Sequence, residues 1–183
     1  MIQWLAFVVG SVILAAISWK SLRHPGSHGF YRFFAWESIF ALITLNVPIW
    51  FKNWLAWYQI VSWILLIVCL VPLIFGVQSL RTHGKPNKDE RPDPQLLAFE
   101  RTTKLVTSGI YKFIRHPLYS SLLLLGWGVF FKSPSQDGIT LVLIATLLLN
   151  ATAKADEVEC IQTFGRDYQE YMKRSKMFIP YVF

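Results

Sequence analysis

Apolar residues fall along this chain in long unbroken runs, not in the short alternations of a strand, and the runs predict bilayer-crossing helices. Five stand out, at residues 2–19, 33–51, 57–80, 117–131 and 139–153. The first three meet or approach the roughly 20 apolar residues with which a helix crosses a hydrocarbon core of about 30 Å. The last two have 15 residues each, which suits a hairpin packed on the others or a locally thinned bilayer. No small-residue cleavage site follows the first run, and "KSLRHPGSHGFYR" comes next, so it reads as a retained helix and not a signal peptide. Within the runs, Glu37 and Asn46 are costly in lipid and are expected to face the bundle interior. Pro48 and Pro72 are expected to kink or end their helices.

Two polar segments complete the pattern. Residues 81–115 open with "RTHGKPNKDERPDP", whose Pro, Gly and charge predict a loop. They continue with "QLLAFERTTKLVTSGIYKFIRHP", too evenly mixed for a linker and expected to fold back against the membrane surface. Residues 154–176 predict an amphipathic helix. At 100° per residue Glu157, Ile161, Phe164, Tyr168 and Tyr171 share one stripe, an apolar face topped by a carboxylate. The expected architecture is an all-α, single-domain, multi-pass membrane protein with five transmembrane helices. Three helices span residues 1–80, a loop and site segment covers 81–116, a transmembrane hairpin covers 117–153, and a tail helix covers 154–183.

Charge orients these elements. With the N-terminus outside and the C-terminus cytoplasmic, sixteen of the 18 Lys and Arg residues lie on the cytoplasmic side, with only Lys52 and Lys132 opposite. The net charge of +7 follows mostly from this bias, with attraction to anionic membrane lipids as a secondary consequence. It calls for no nucleic-acid partner. The two cysteines, Cys69 and Cys160, form neither a disulfide framework nor a metal-ligand spacing, so no metal is expected.

Candidate chemistry gathers at one helix mouth. In "SGIYKFIRHPLYSS" (108–121), Pro117 suits the first helical turn and His116 its N-terminal flank. The free N–H groups of that turn, with Arg115, favour an anionic group. Tyr111 and Tyr119 flank the same mouth, and Asp156 and Glu157 follow the last run on the same side. A zwitterionic or mixed-charge ligand fits such company. The plainer reading, in which Arg115 only orients the helix and His116 only flanks it, holds alongside.

These stretches carry a resemblance. "LVTSGIYKFIRHPLY" (105–119), "DEVECIQTFGRDYQEYMKR" (156–174) and "IP" (179–180) resemble the membrane methyltransferases typified by isoprenylcysteine carboxyl methyltransferase. "GWG" (126–128) with Asp156 and Glu157 is similar to a signature of the related phospholipid N-methyltransferases. The resemblance covers about the C-terminal half. It implies S-adenosyl-L-methionine as methyl donor at the cytoplasmic face and a lipophilic small-molecule or lipid acceptor from the bilayer. Carried over by motif, the donor pocket would use Thr103, Lys104, Leu105, Val106, Tyr111, His116, Pro117, Leu118, Tyr119 and Asp156.

Three departures follow. The acid pair is commonly Glu-Glu and here is Asp-Glu, so the motif favours Asp156 as the donor ligand while the helical stripe favours Glu157. An Arg that contacts the prenylcysteine substrate is here Thr152, and Arg174 would substitute for it in part. The small residue two positions after Tyr119, commonly Gly, is here Ser121. In-line methyl transfer needs alignment and exclusion of water more than an enzyme nucleophile. An amine acceptor would also need a base, for which Glu157 is the candidate. Two other readings stay open: a non-catalytic lipid-binding or partner-binding scaffold, and a membrane reductase.

Overall fold

The computed structural model describes residues 2–87, 89, 96, 98 and 100–181. Its helices are α1 (Ile2–Ile17), α2 (Trp19–Leu22), α3 (His28–Asn46), α4 (Trp57–Val68), α5 (Leu70–His83), α6 (Pro117–Phe130), α7 (Gln136–Phe164) and α8 (Arg166–Arg174), with 3-10 turns at Val47–Ile49 and Gly109–Lys112. Two isolated bridges, Pro86 to Thr102 and Ile114 to Lys176, are the extended pairings among the described residues. The all-helical expectation holds for them.

Local chemistry sets several boundaries. Ser27 caps α3 by accepting the Phe30 N–H at 3.2 Å, and Ser135 caps α7 by accepting that of Gly138 at 3.1 Å. Pro117 starts α6, as its fixed φ and missing N–H allow. The run at 57–80 divides at Cys69 into α4 and α5. Pro72 explains the division: it cannot donate to the Val68 carbonyl, and its ring crowds that oxygen. Pro48 lies in the 3-10 turn that ends α3.

Two boundaries correct the sequence reading. The last apolar run does not end at Ala153; α7 continues without a break to Phe164. The tail is not one helix either, because Gly165, at a φ of 60°, separates α7 from α8. That left-handed conformation is open to glycine and costly for other residues. The stripe survives the break: Tyr168 and Tyr171 of α8 pack with Ile161 and Phe164 of α7 and with Val106 and Tyr111 of the preceding loop.

The central seam joins α3 and α7. Ala35, Ala145 and Ala153 are buried in it beside Ile39, Leu149 and Tyr119, and their small side chains let the two backbones approach. Towards the other end, Leu42, Val129, Phe130 and Val142 form a second cluster. There Lys132 is fully buried, its Nζ donating to Gln59 Oε1 at 3.1 Å and lying 3.4 Å from the Trp63 ring centroid. Asn46 is buried, as expected, and donates to the Leu42 carbonyl. Glu37 accepts the Ser11 hydroxyl of α1 at 2.7 Å.

Three helical stretches, His28–Ile49, Trp57–His83 and Gln136–Phe164, are long and apolar enough to cross a membrane. Gln3–Ile17 and Pro117–Phe130 are apolar but shorter. Much of the outward face of α1, α4 and α5 is apolar, with Val8, Val12, Ile64, Ile67 and Ile74 all more than half exposed.

Candidate functional site

At one end of the bundle, the segment leading into α6 meets the second half of α7 and all of α8 around a cleft. It holds about 690 Å³ of empty space, its open mouth included. The cleft is possible because residues 113–116 dock on the chain that follows α8. Lys176 N–H donates to the Phe113 carbonyl, Arg115 N–H to that of Lys176, and His116 N–H to that of Met177. Ser120 adds a tie to the Phe178 carbonyl at 2.8 Å.

Asp156 and Glu157, neighbours on one helix, face different partners. Asp156 lines the cleft, accepting the Tyr119 hydroxyl at 3.3 Å and lying 3.5 Å from His116 Nδ1. Glu157 is buried behind it and accepts Arg115 Nε–H at 2.7 Å, each side chain being 10% exposed. Its same oxygen lies 3.4 Å from His116 Nε2. Arg115 NH1 donates to the carbonyls of Met172 and Ser175. One helical step of about 100° separates a cleft carboxylate from a strut carboxylate.

His116 is 5% exposed and stacks on Tyr119, with ring centroids 5.3 Å apart. Burial opposes its charged form, but the hydrogen bonds and negative charge of Asp156 and Glu157 outweigh it, and the pKa rises above 6.5. Burial also lifts the phenols of Tyr111, Tyr168 and Tyr171 above their ordinary range. They remain neutral donors, as shown by Tyr171, whose hydroxyl donates to the Tyr111 carbonyl at 2.6 Å.

The structure brings most of the sequence candidates together. Leu105, Val106, Tyr111, Arg115, His116, Pro117, Leu118, Tyr119 and Asp156 all line the cleft. Thr103 and Lys104 stand outside the lining, docking the loop through their N–H groups on the Gly84 carbonyl. Arg174 is exposed at the end of α8 and is not brought to the cleft. Thr152 is fully buried and its hydroxyl is tied to the Leu148 carbonyl, so it puts no charge towards a substrate. Gly126 and Gly128 face neighbouring helices: a Cβ on Gly128 would come within 2.9 Å of Leu66, and one on Gly126 within 3.6 Å of Val142.

Sequence reasoning did not name Leu80, Leu96, Glu100, Thr102 or Cys160, which complete the lining. Glu100 is fixed by Arg32 of α3, whose NH1 donates to it at 3.0 Å. The signal available was Arg32 itself, a cation with α3 that needs an acid if buried. Beside it His28 pairs with Glu159 of α7. Ligand atoms of His28, Asp156 and Glu159 lie within 4.8 Å of one another, a grouping that ties α3 to α7 next to the cleft.

A site of this kind holds both charge signs between apolar walls. Glu100 and Asp156 offer carboxylates, Arg115 a guanidinium, His116 an imidazole, and Leu80, Leu105 and Val106 flat apolar contact.

Comparison with known proteins points the same way. Residues 95–167 match the phospholipid methyltransferase family. The chain is 34% identical over 86 residues to protein-S-isoprenylcysteine O-methyltransferase B of Arabidopsis thaliana, covering 45% of this chain and 43% of that protein. It is 26% identical over 109 residues to methanethiol S-methyltransferase 1 of Bradyrhizobium diazoefficiens, covering 59% and 33%. It is also 30% identical over 131 residues to the Delta(14)-sterol reductase TM7SF2 of Mus musculus, covering 64% and 31%. The chain therefore spans between about a third and under half the length of these curated relatives. No solved structure matches.

Proposed function

We propose that this chain, whose residues 95–167 match the phospholipid methyltransferase family, transfers a methyl group from S-adenosyl-L-methionine to a lipophilic or lipid-linked acceptor at the cytoplasmic membrane face. One observation carries the reading. The two motifs, some forty residues apart, meet around a single cleft through Tyr119, His116 and Asp156. The sulfonium donor supplies an activated methyl group, and its mixed charges suit the cleft. Asp156 and Glu100 would hold its cationic groups, the N–H groups at the start of α6 its carboxylate, and Leu105, Val106 and Phe164 its apolar surface.

In this reading the protein works by alignment and by excluding water. His116 is fixed by two carboxylates and by stacking on Tyr119, so its donor position is set before any ligand arrives. Glu157, engaged by Arg115, acts as the strut that holds the mouth together and not as a base. A carboxylate or thiolate acceptor is already nucleophilic and needs none. Five crossings, with the N-terminus outside, would put the cleft on the cytoplasmic side where the positive charge lies.

Isothermal titration of the detergent-solubilised protein with S-adenosylhomocysteine tests this directly. Binding that is lost on Asp156→Asn supports it; no heat at millimolar ligand sinks it. Similarity to the sterol reductase across 64% of this chain supports a second reading, reduction of a lipophilic alkene by a nicotinamide donor. Saturable binding of NADPH to the same cleft, with none of S-adenosylhomocysteine, would select the reductase.

A further inference from the structure

A second cavity lies on the opposite side of residues 110–120 from the cleft. It is a groove with about 1650 Å³ of empty space, its open side included. The partition between the two is thin. Tyr111, Arg115, His116 and Tyr119 face the cleft, whereas Ile110, Ile114 and Ser120 face the groove. The His116 and Phe178 rings, one on each side, lie 6.2 Å apart between centroids.

The groove is walled mainly by apolar side chains of α4, α5, α6 and residues 178–180, and three polar residues interrupt it: Ser120, Thr146 and Asn150. Ser120 is satisfied by the carbonyls of His116 and Phe178. Thr146 donates to the carbonyl of Val142. Asn150, one turn further along α7, has no hydrogen-bond partner for its carboxamide among the described residues. It is half-buried and lies six residues before Asp156, about 9 Å along the helix. An unpaired carboxamide in an apolar groove becomes costly when the groove is filled by a molecule that cannot meet it.

We propose that Asn150 reads the acceptor: the groove takes an amphiphile with a long apolar chain and a neutral hydrogen-bonding group, a carbonyl or hydroxyl, that pairs with this carboxamide. Calling the occupant the methyl acceptor rests on the methyltransferase reading; occupancy of the groove does not. A purely hydrocarbon tail would fill the apolar walls and leave Asn150 unpaired. A site whose polar group is covered by the ligand discriminates against ligands that cannot satisfy it. The neutral group supplies the polar contact that fixes register.

The test uses the full chain in dodecyl maltoside with Asn labelled by ¹⁵N, which gives four side-chain amide pairs, for Asn46, Asn53, Asn87 and Asn150. Asn150→Leu identifies its pair. The probes are 1-oleoylglycerol, with ester and hydroxyl groups, and 1-octadecene, with neither. The expected result is saturable movement of the Asn150 pair by oleoylglycerol alone, and roughly tenfold weaker oleoylglycerol binding in Asn150→Leu, about one hydrogen bond's worth. Equal shifts from both probes, no shift from either, or a change of oligomeric state in Asn150→Leu that accounts for the effect would each overturn the proposal. S-adenosylhomocysteine binding is measured on the same samples. Its absence would remove the methyltransferase reading while leaving the groove result intact, and its persistence in Asn150→Leu shows that the cleft is unaffected.

Discussion

Replacing Glu157 separates a strut from a ligand residue. In the wild-type protein its carboxylate sits 2.7 Å from Arg115 Nε, and both side chains are 10% exposed. Removing one partner of a buried pair strands the other charge, at about 3–5 kcal/mol. Arg115 keeps the carbonyls of Met172 and Ser175, so Glu157→Ala should fall at the low end, about 3 kcal/mol. For a chain of this length each kcal/mol moves the melting point by roughly 2–4 °C, which gives a drop of about 6–12 °C. The assay is thermal unfolding in detergent, with and without S-adenosylhomocysteine. Adding Arg115→Met to Glu157→Ala should recover part of the loss, because the stranded charge is gone. Asp156→Asn should show the opposite profile, a shift of only about 2 °C with at least roughly tenfold weaker ligand binding, since the lost contact is charge-assisted. If Glu157→Ala melts like wild type yet abolishes binding, Glu157 belongs to the cleft and the strut assignment is wrong.

Stability should also depend on pH through His116. Its pKa is raised above 6.5 in the folded protein, so its contribution is complete below that value and disappears as pH rises through the raised one. Wild type should therefore lose melting temperature relative to His116→Gln as pH rises above 6.5, and parallel curves for the two would exclude this linkage. Gly165, with φ 60°, should tolerate no side chain cheaply. Gly165→Ala is expected to lose about 1–3 kcal/mol, because φ 60° with ψ −131° is a sparsely populated region for any residue with a Cβ, seen as a lower melting point, and an unchanged one would count against the α7–α8 corner. For the paired glycines of α6, Gly128→Ala should destabilise by about 1–3 kcal/mol through overpacking against Leu66. Gly126→Ala should change little, and donor affinity should stay level in both. A selective loss of S-adenosylhomocysteine affinity in Gly128→Ala would make that glycine a donor contact.

Fold class, the helical runs, the proline-set breaks and the mouth of α6 were legible in the order of residues because each depends on neighbours within a turn or two. Pro117 starts its helix for reasons present in the sequence, and Pro72 ends one. The stripe from Glu157 to Tyr171 was legible in the same way, although Gly165 hid a corner that periodicity alone did not register. Which acid faces the cleft was not legible. Asp156 and Glu157 are adjacent, and their roles divide only when Arg115, forty-two residues away in sequence, takes one of them. Glu100 and Thr102 stayed invisible for the same reason, since the first enters the site by pairing with Arg32, sixty-eight positions distant. Arg174 looked useful by position in a motif, yet the turn of α8 leaves it exposed.

The order of residues was enough to show a chain of apolar helices whose Lys and Arg residues all lie outside the apolar runs, with histidine, tyrosine and acid motifs flanking the last two runs. Periodicity and proline chemistry act locally and need no partner to be read. Only the tertiary structure decided that those motifs share a cleft, that Glu157 braces Arg115 while Asp156 lines the site, and that Asn150 stands unpaired in a groove behind it. Burial and ion pairing are properties of surfaces brought together from distant parts of the chain, and no spacing along it encodes which of two neighbouring carboxylates a distant arginine will reach.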